Sequence, residues 1–430
     1  MYLVGVFMGA LDTSIISPAL PLIARSFSTT LAWTAWTVTA YTVAYAASTI
    51  LAGAMGDRSG RRRMFALGIL LFGVASLIAA LSRSLPVFLL ARVVQGAGAG
   101  AVYPNAQAEG VLQFGVERRG TALGIFGAVF GLAAIVGPDA GGALAQYLGW
   151  PSVFLVNVPI AVVVLLLVRS LPASPTSSRA LPDWGGGLAF AALLGAGLLA
   201  IAARGPVRFA FAFAALAMLL VFLWRQRSAA IPFLDPVRLR TVAGWAMLVG
   251  AALIGLDLSA SVFVPTLVQR VFHFSVLASG VSLMPAALFG AILAGVGGVL
   301  VDRVGARSVL EVGLFLAMAG GVLLAWPHRS FLMFILAMIC LGSATAFTMG
   351  APLNRMAMAY YRVDQAGEAL SMVAVFRAVG LAAGPVLLTG HGGFTGMFGT
   401  VAVASALGML IFLLVPDVRP ALARGSSRPA

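Results

Sequence analysis

The stretch Gly53-Ala54-Met55-Gly56-Asp57-Arg58-Ser59-Gly60-Arg61-Arg62-Arg63 lies where one apolar run, 34–55, ends and another, 64–82, begins. Each run approaches the roughly 20 apolar residues that a helix needs to cross the hydrocarbon core of a bilayer. The charges and glycines between them make a short solvated turn, so the two runs read as a hairpin of membrane-crossing helices. The same alternation extends in both directions. Further runs fall at about 2–23, 86–110, 120–143, 151–170, 184–203, 207–224, 242–267, 277–300, 308–326, 330–357, 368–390 and 394–416, giving fourteen spans in chain order.

Composition agrees with that pattern. Of 430 residues, 61% are hydrophobic and 9% charged, with a mean hydropathy of +1.04. Soluble domains carry about 25% charged residues, so this chain cannot cover itself against water. Helices are the spanning element, because lipid offers backbone N–H and C=O groups no partners outside the segment itself. The continuous runs exclude the shorter alternating strands of a membrane β-barrel. The fold class is an all-α integral membrane bundle. The opening Met1-Tyr2-Leu3-Val4 has no basic region ahead of it and reads as the start of span 1, not as a removed leader. A single cysteine, Cys340, excludes a disulfide framework.

The formal charge of +14 is carried wholly by arginine. With loops assigned alternately to two sides, nineteen arginines fall on one side. Six fall on the other (Arg25, Arg83, Arg204, Arg208, Arg270 and Arg329), and Arg92 and Arg377 lie inside spans. Arginine-rich short loops stay cytoplasmic, so both termini are expected there, in the cell membrane. The charge sets topology, and no nucleic-acid partner is implied.

The hinge recurs after span 10 as Gly298-Val-Leu-Val-Asp302-Arg303-Val-Gly305-Ala-Arg307. Gly137-Pro138 of span 5 likewise recurs as Gly384-Pro385 of span 13. These matches align spans 1–6 with spans 9–14, a parallel repeat of the kind secondary transporters use. The expected organisation is a first six-helix bundle over 1–171, an inserted helix pair with linkers over 172–240, a second bundle over 241–416 and a tail over 417–430.

Several segments resemble the major facilitator superfamily, and within it the fourteen-helix drug:proton antiporter branch. Leu11-Asp12-Thr13 through Ala19-Leu20-Pro21 is similar to that branch's first-helix motif, and Gly53 to Arg63 to the superfamily's loop motif. Arg92-Val-Val-Gln95-Gly96-Ala-Gly98 resembles its fourth-helix motif, and Gly137-Pro138-Asp139-Ala140-Gly141-Gly142 the antiporter motif of the fifth. Trp150 with Phe154-Leu-Val-Asn157-Val-Pro159 is similar to the entry to the sixth helix. The resemblance implies proton-coupled export by alternating access. The chain departs from the branch at Asp139, where members carry an apolar residue, and in the short connection around His391–Phe394.

Asp12 lies roughly 16 Å into span 1 at 1.5 Å per residue, near the midplane, where an ionisable side chain marks a functional path or a partner. Arg92 shares a helix face with Gln95, Gly96, Ala99 and Tyr103 at i, i+3, i+4 spacing. It needs a carboxylate, for which Asp12 is the candidate, or several carbonyls; proton coupling by such a pair and a permanent structural ion pair are both compatible with the sequence. Asp139, about 28 Å along span 5, is placed at the mouth, and Asp257 about 21 Å into span 9. Asp257 is read as a second proton site or an attractant for cations, and Arg377, about 14 Å into span 13, as its partner or a binder of anionic groups.

Gating is expected from Gly53, Asp57, Arg58, Gly60 and Arg61, from the sparser copy at Asp302 and Arg303, and from Gly137-Pro138. Substrate contacts are expected from Gln95, Tyr103, Asn157 and Arg377. Glu109, Glu311 and Glu368 read as solvated residues at helix ends. The three histidines are too scattered for a metal site, and no phosphate-cradling Gly-rich loop with a following Lys-Ser/Thr occurs. No cofactor or catalytic group is expected. The sequence therefore points to a monomeric antiporter of small hydrophobic or amphipathic compounds such as drugs, driven by protons. A metabolite or lipid exporter and a non-transporting membrane sensor are the competing readings.

Overall fold

A computed structural model describes residues 1–114, 119–169, 183–229, 241–326, 330–349, 351–359, 366–390 and 393–415. The linker expected over 171–182, the tail from 417 and the His391 connection lie outside the described residues, as does the side chain of Asp302. Every regular element among the described residues is helical. Thirteen helices are long and apolar enough to cross a membrane. The expected span 6 is shorter because it breaks at Val156 into Ser152–Leu155 and Asn157–Val168. Even so, Ser152–Val168 is an apolar helix in the right place, and the fourteen-span reading holds.

The two halves repeat each other in backbone detail. Span 1 runs Tyr2–Ile15, a 3-10 turn Ser17–Ala19, then Leu20–Ser26; span 9 runs Val242–Ser259, a 3-10 turn Ala260–Phe263, then Val264–Val271. Each ends two residues before a non-glycine residue with positive φ, Ser28 at 48° and His273 at 56°. Two residues further on, Thr30 and Ser275 cap the next helix, accepting from the amides of Trp33 and Ala278. Such caps are worth about 1 kcal/mol each. Span 2 (Leu31–Ser59) and span 10 (Val276–Val281 with Met284–Val304) then stop at Gly60 and Gly305, with φ of 94° and 96°. A side chain is strained at that φ, so glycine ends each helix and turns the chain directly into Arg61–Leu81 and Ala306–Ala325.

The halves meet mainly at the arginine-poor end. There one buried apolar cluster contains Ile15, Ile16, Leu20 and Ile23 of span 1 together with Phe263, Val264, Leu267 and Val268 of span 9. Gln269 Nε2 donates to the Pro18 carbonyl at 3.0 Å, and the Leu277 amide donates to Gln146 Oε1 at 2.9 Å. Span 5 (Arg119–Tyr147) lies so close to span 10 that a Cβ on Gly280 would sit 2.2 Å from the Pro138 carbonyl oxygen. Deeper in, Thr39 Oγ1 of span 2 donates to the Ala382 carbonyl of span 13 (Ala366–Thr389) at 2.8 Å.

The inserted pair, Trp184–Ala202 and Val207–Ser228, packs as a hairpin whose first helix lies against spans 2 and 13. Asp183 Oδ1 accepts from the Gly186 amide at 2.9 Å and pairs with Arg225, so a cap and an ion pair close the base of the hairpin. The second helix is almost entirely exposed, with only Phe222 buried, as expected of a helix that faces lipid.

Candidate functional site

Span 4 (Leu85–Phe114) can lie against spans 2 and 3 because it is built of small residues on that side. A Cβ on Gly96 would fall 2.1 Å from the Tyr41 carbonyl oxygen, and one on Gly98 2.8 Å from the Phe72 amide nitrogen. This closeness buries Arg92, whose side chain has 1% exposure, beside a wholly buried Asp12. Arg92 Nη1 donates to Asp12 Oδ2 and to Gln95 Oε1, both at 2.5 Å, and Nε donates to the Thr37 carbonyl at 3.0 Å. Asp12 Oδ1 accepts from Gln95 Nε2 at 2.8 Å and from Asn157 Nδ2 at 3.3 Å. The Gln95 amide also reaches Ser76 Oγ at 2.8 Å. The Tyr41 ring lies 4.4 Å from the guanidinium carbon, and Phe154 lies 5.6 Å away on the same group.

Chemically, this is a carboxylate held by donors from two other spans, Arg92 and Gln95 of span 4 and Asn157 of span 6. Taking two ions out of water costs several kcal/mol each, which their attraction offsets only when further hydrogen bonds complete the shell. Here Gln95, Asn157 and the Thr37 carbonyl complete it. The Asp12–Arg92 pair and its hydrogen bonds thus tie spans 1, 2, 4 and 6 together.

Gln95 and Asn157 need relocating. The sequence places both among substrate contacts, but each is fully buried and donates to Asp12, with Asn157 Oδ1 left without a partner. Tyr103, two turns further along span 4, lies elsewhere: half-buried, it accepts from Gln107 Nε2 at 3.1 Å and meets the Phe130 ring edge-on at 5.2 Å. Arg377 comes from the second half and lies within electrostatic reach of the Tyr45 and Tyr103 hydroxyls. Tyr45, Tyr103, Gln107 and Arg377 are all partly exposed, so that groups from both halves face one another there.

Arg377 and Asp257 are not partners among the described residues. Asp257 Oδ2 instead meets Ser405 Oγ of span 14 (Phe394–Phe412) at 2.8 Å, and its Oδ1 is buried without a partner. The reason is local: the Arg377 carbonyl packs on Gly255, where a Cβ would lie 1.9 Å away, and the side chain leaves towards the tyrosines. Asp139 is half-buried beside Gly280 in the seam between the halves.

At the arginine-rich hinge, Arg61 donates through Nε at 3.0 Å and Nη2 at 2.7 Å to Asp57 Oδ1 across the Gly60 turn, while Arg58 is exposed. Gly53 faces Pro104, and Gly56 faces Asn105, which donates to the carbonyls of Ala52 and Ala101. In the copy, Arg303 is exposed, and Arg307 pairs with Glu311 at 2.7 Å. Gly137 packs on Ser14. Glu109 departs from its expected solvated place: it is 8% exposed, with Oε2 unpartnered, because span 4 continues past it to Phe114.

The sequence reading missed Thr37, Tyr41, Ser76 and Ser405. Each is a polar residue inside an apolar run, which was the available signal.

Comparison with known proteins follows the same line. The family model described as Major Facilitator Superfamily matches residues 2–385 and 286–430. The chain belongs to the major facilitator superfamily. Among superfamily members, it is 30% identical over 400 residues to the multidrug resistance protein Stp of Mycobacterium tuberculosis (strain ATCC 25618 / H37Rv), covering 89% of this chain and 73% of that one. It is 27% identical over 387 residues to the riboflavin transporter RibZ of Clostridioides difficile (strain 630), covering 89% and 84%. The crystal structure of a D-xylose-proton symporter shares the superfamily fold, with a TM-score of 0.71 at 14% identity over 97% of both chains. This protein is thus a multi-pass membrane transporter of small molecules.

Proposed function

We propose that the protein is a proton-coupled exporter of small hydrophobic or amphipathic compounds, acting as a monomer by alternating access between its two six-helix halves. The observation that carries this reading is the enclosed Asp12–Arg92–Gln95–Asn157 network, a titratable group whose charge state is tied to the packing of four spans. With the arginine-rich side in the cytoplasm, the sealed arginine-poor end corresponds to an inward-facing arrangement. Substrate enters between the halves from the cytoplasm and meets Tyr45, Tyr103, Phe130 and Arg377. The aromatic rings suit a flat apolar body, and Arg377 suits an acidic group on it. Substrate release on the far side is followed by protonation of Asp12, which frees Arg92 and allows return.

In this reading Asp139 and Gly137-Pro138 belong to the outer gate, while Gly53, Asp57, Arg58, Gly60 and Arg61, with their copies at Asp302 and Arg303, form the inner latch. The kinship with Stp supports a drug-like cargo.

The test is transport into proteoliposomes under an imposed pH gradient, with a panel of fluorescent aromatic dyes, cationic and anionic. A gradient-driven uptake that Asp12→Asn reduces at least tenfold is expected, equivalent to about 1.4 kcal/mol or more of lost coupling. Uptake indifferent to the gradient, or to Asp12→Asn, would sink the coupling mechanism.

A further inference from the structure

Over the first two spans of each half and the hinge that follows them, the correspondence holds a single register. Gly53, Asp57, Arg58 and Gly60 recur 245 residues later as Gly298, Asp302, Arg303 and Gly305. The positive-φ residues Ser28 and His273, and the capping residues Thr30 and Ser275, keep the same separation. Carried back into spans 1 and 9, it superposes Leu11-Asp12-Thr13-Ser14 on Leu256-Asp257-Leu258-Ser259. Packing confirms the match. A Cβ on Gly137 of span 5 would strike Ser14 Oγ at 2.0 Å, and a Cβ on Gly384 of span 13 would strike Ser259 Oγ at 1.7 Å. Asp257 is the second half's copy of Asp12.

The surroundings of the copy have been changed. Phe88 and Phe334 open their helices with equivalent bonds to Ser84 and Ser330, and Gly96 and Gly342 pack on the Tyr41 and Ala286 carbonyls. In that alignment Arg92 corresponds to Met338 and Gln95 to Leu341. Gly149 and Gly393, with φ of 82° and 93°, and the buried Phe154 and Phe398 align Asn157 with Val401. All three side chains that donate to Asp12 are apolar in the copy.

Ser405 supplies at most one donor in place of the three. Its Oγ lies 2.8 Å from Asp257 Oδ2 and 2.9 Å from the Val401 carbonyl, yet a hydroxyl has one hydrogen and the carbonyl can only accept. Asp257 therefore receives at most one donor, shared with the Val401 carbonyl, and its Oδ1 receives none; a protonated Asp257 donating to Ser405 satisfies both contacts at once. Of the helices packed on span 9, span 14 carries no charged residue between Phe394 and Phe412. Span 13 brings Arg377, which makes no ion pair with Asp257 among the described residues, and Glu368, whose side chain is outside them. A carboxylate inside the helix bundle with so few donors is costly in its charged form.

We propose that Asp257 is a second proton-binding site, occupied in this conformation and emptied in the opposite one. The two halves thus carry one proton site each: Asp12 ionised against Arg92, and Asp257 neutral. The proton leaves Asp257 to water when the seal opens and returns from water before it closes; no other bond changes. The inference rests on the coupled-transport reading for its role, but not for its chemistry.

The test uses the full chain in lipid films, followed by infrared difference spectroscopy of the carboxylic-acid carbonyl stretch. Gln146→Cys with Leu277→Cys, in a Cys340→Ala background, holds the arginine-poor end shut as a disulfide. The oxidised protein should show a protonated-acid band that persists into alkaline buffer, and reduction should let that band titrate away. Asp257→Asn should abolish the band, Asp257→Glu should restore it at a shifted frequency, and Asp12→Asn should leave it in place. The amide band of the same spectra reports whether each variant is folded. A spectrum of folded Asp257→Asn identical to its parent, or a band indifferent to reduction, overturns the proposal. Failure of the Asp12→Asn transport test overturns the coupling reading alone and leaves this band untouched.

Discussion

Arg92 makes three kinds of contact at once: ion pair, carbonyl hydrogen bond and aromatic face. Lysine could keep the charge, but not the planar fork that reaches Thr37, Asp12 and Gln95 together. Arg92→Lys should therefore keep the protein folded but reduce gradient-driven transport by an order of magnitude or more, assayed in proteoliposomes. Arg92→Leu, which leaves Asp12 buried without its cation, should cost about 3–5 kcal/mol in stability, read from thermal unfolding in detergent. Arg377 offers a contrasting case. With tyrosine hydroxyls rather than a carboxylate around it, its removal should leave stability nearly unchanged. Arg377→Gln is expected to weaken transport of acidic dyes several-fold while sparing cationic ones, and equal loss for both would remove its role in recognition.

At the scale of the helix, what decides the structure is how closely small residues let backbones approach. Gly384 is the sharpest instance, because a Cβ there would overlap Ser259 Oγ. Gly384→Ala should destabilise the second half by about 1–3 kcal/mol, and Ser259→Gly should recover part of that loss in a double-mutant cycle. The helices themselves were legible beforehand, since twenty-residue apolar runs and repeated hinge residues have few other readings. The break at Val156 was not, because nothing in Leu155-Val156-Asn157 distinguishes a kink from a continuous helix. The site was half legible. Asp12 and Arg92 stood out as charges in lipid, whereas the placement of Gln95 and Asn157 depends on helix rotation, which a polar residue in an apolar run does not reveal. The missed pairing of Asp257 has the same origin: depth along two helices was estimated, but not the direction in which Arg377 leaves its own.

For the molecule as a whole, the seal is the state-defining contact, built from both halves and closed by Gln269–Pro18 and Gln146–Leu277. Bridging positions 146 and 277 with cysteines should therefore stop transport completely, and a reductant should restore it. Transport that continued through the oxidised bridge would show that this end never opens.

The seal also concentrates the membrane's electric field. In the proposed inward-facing state, water reaches inwards from the arginine-rich side, and the voltage drop falls across the dry layer of the seal, not across the full bilayer. A charge moving within that water crosses little of that drop, and a charge carried past the seal crosses nearly all of it, worth about 2.3 kcal/mol per elementary charge at 100 mV. In the proposed cycle, voltage dependence therefore belongs to the rocking of the two halves, and the membrane potential acts on the rate of that step.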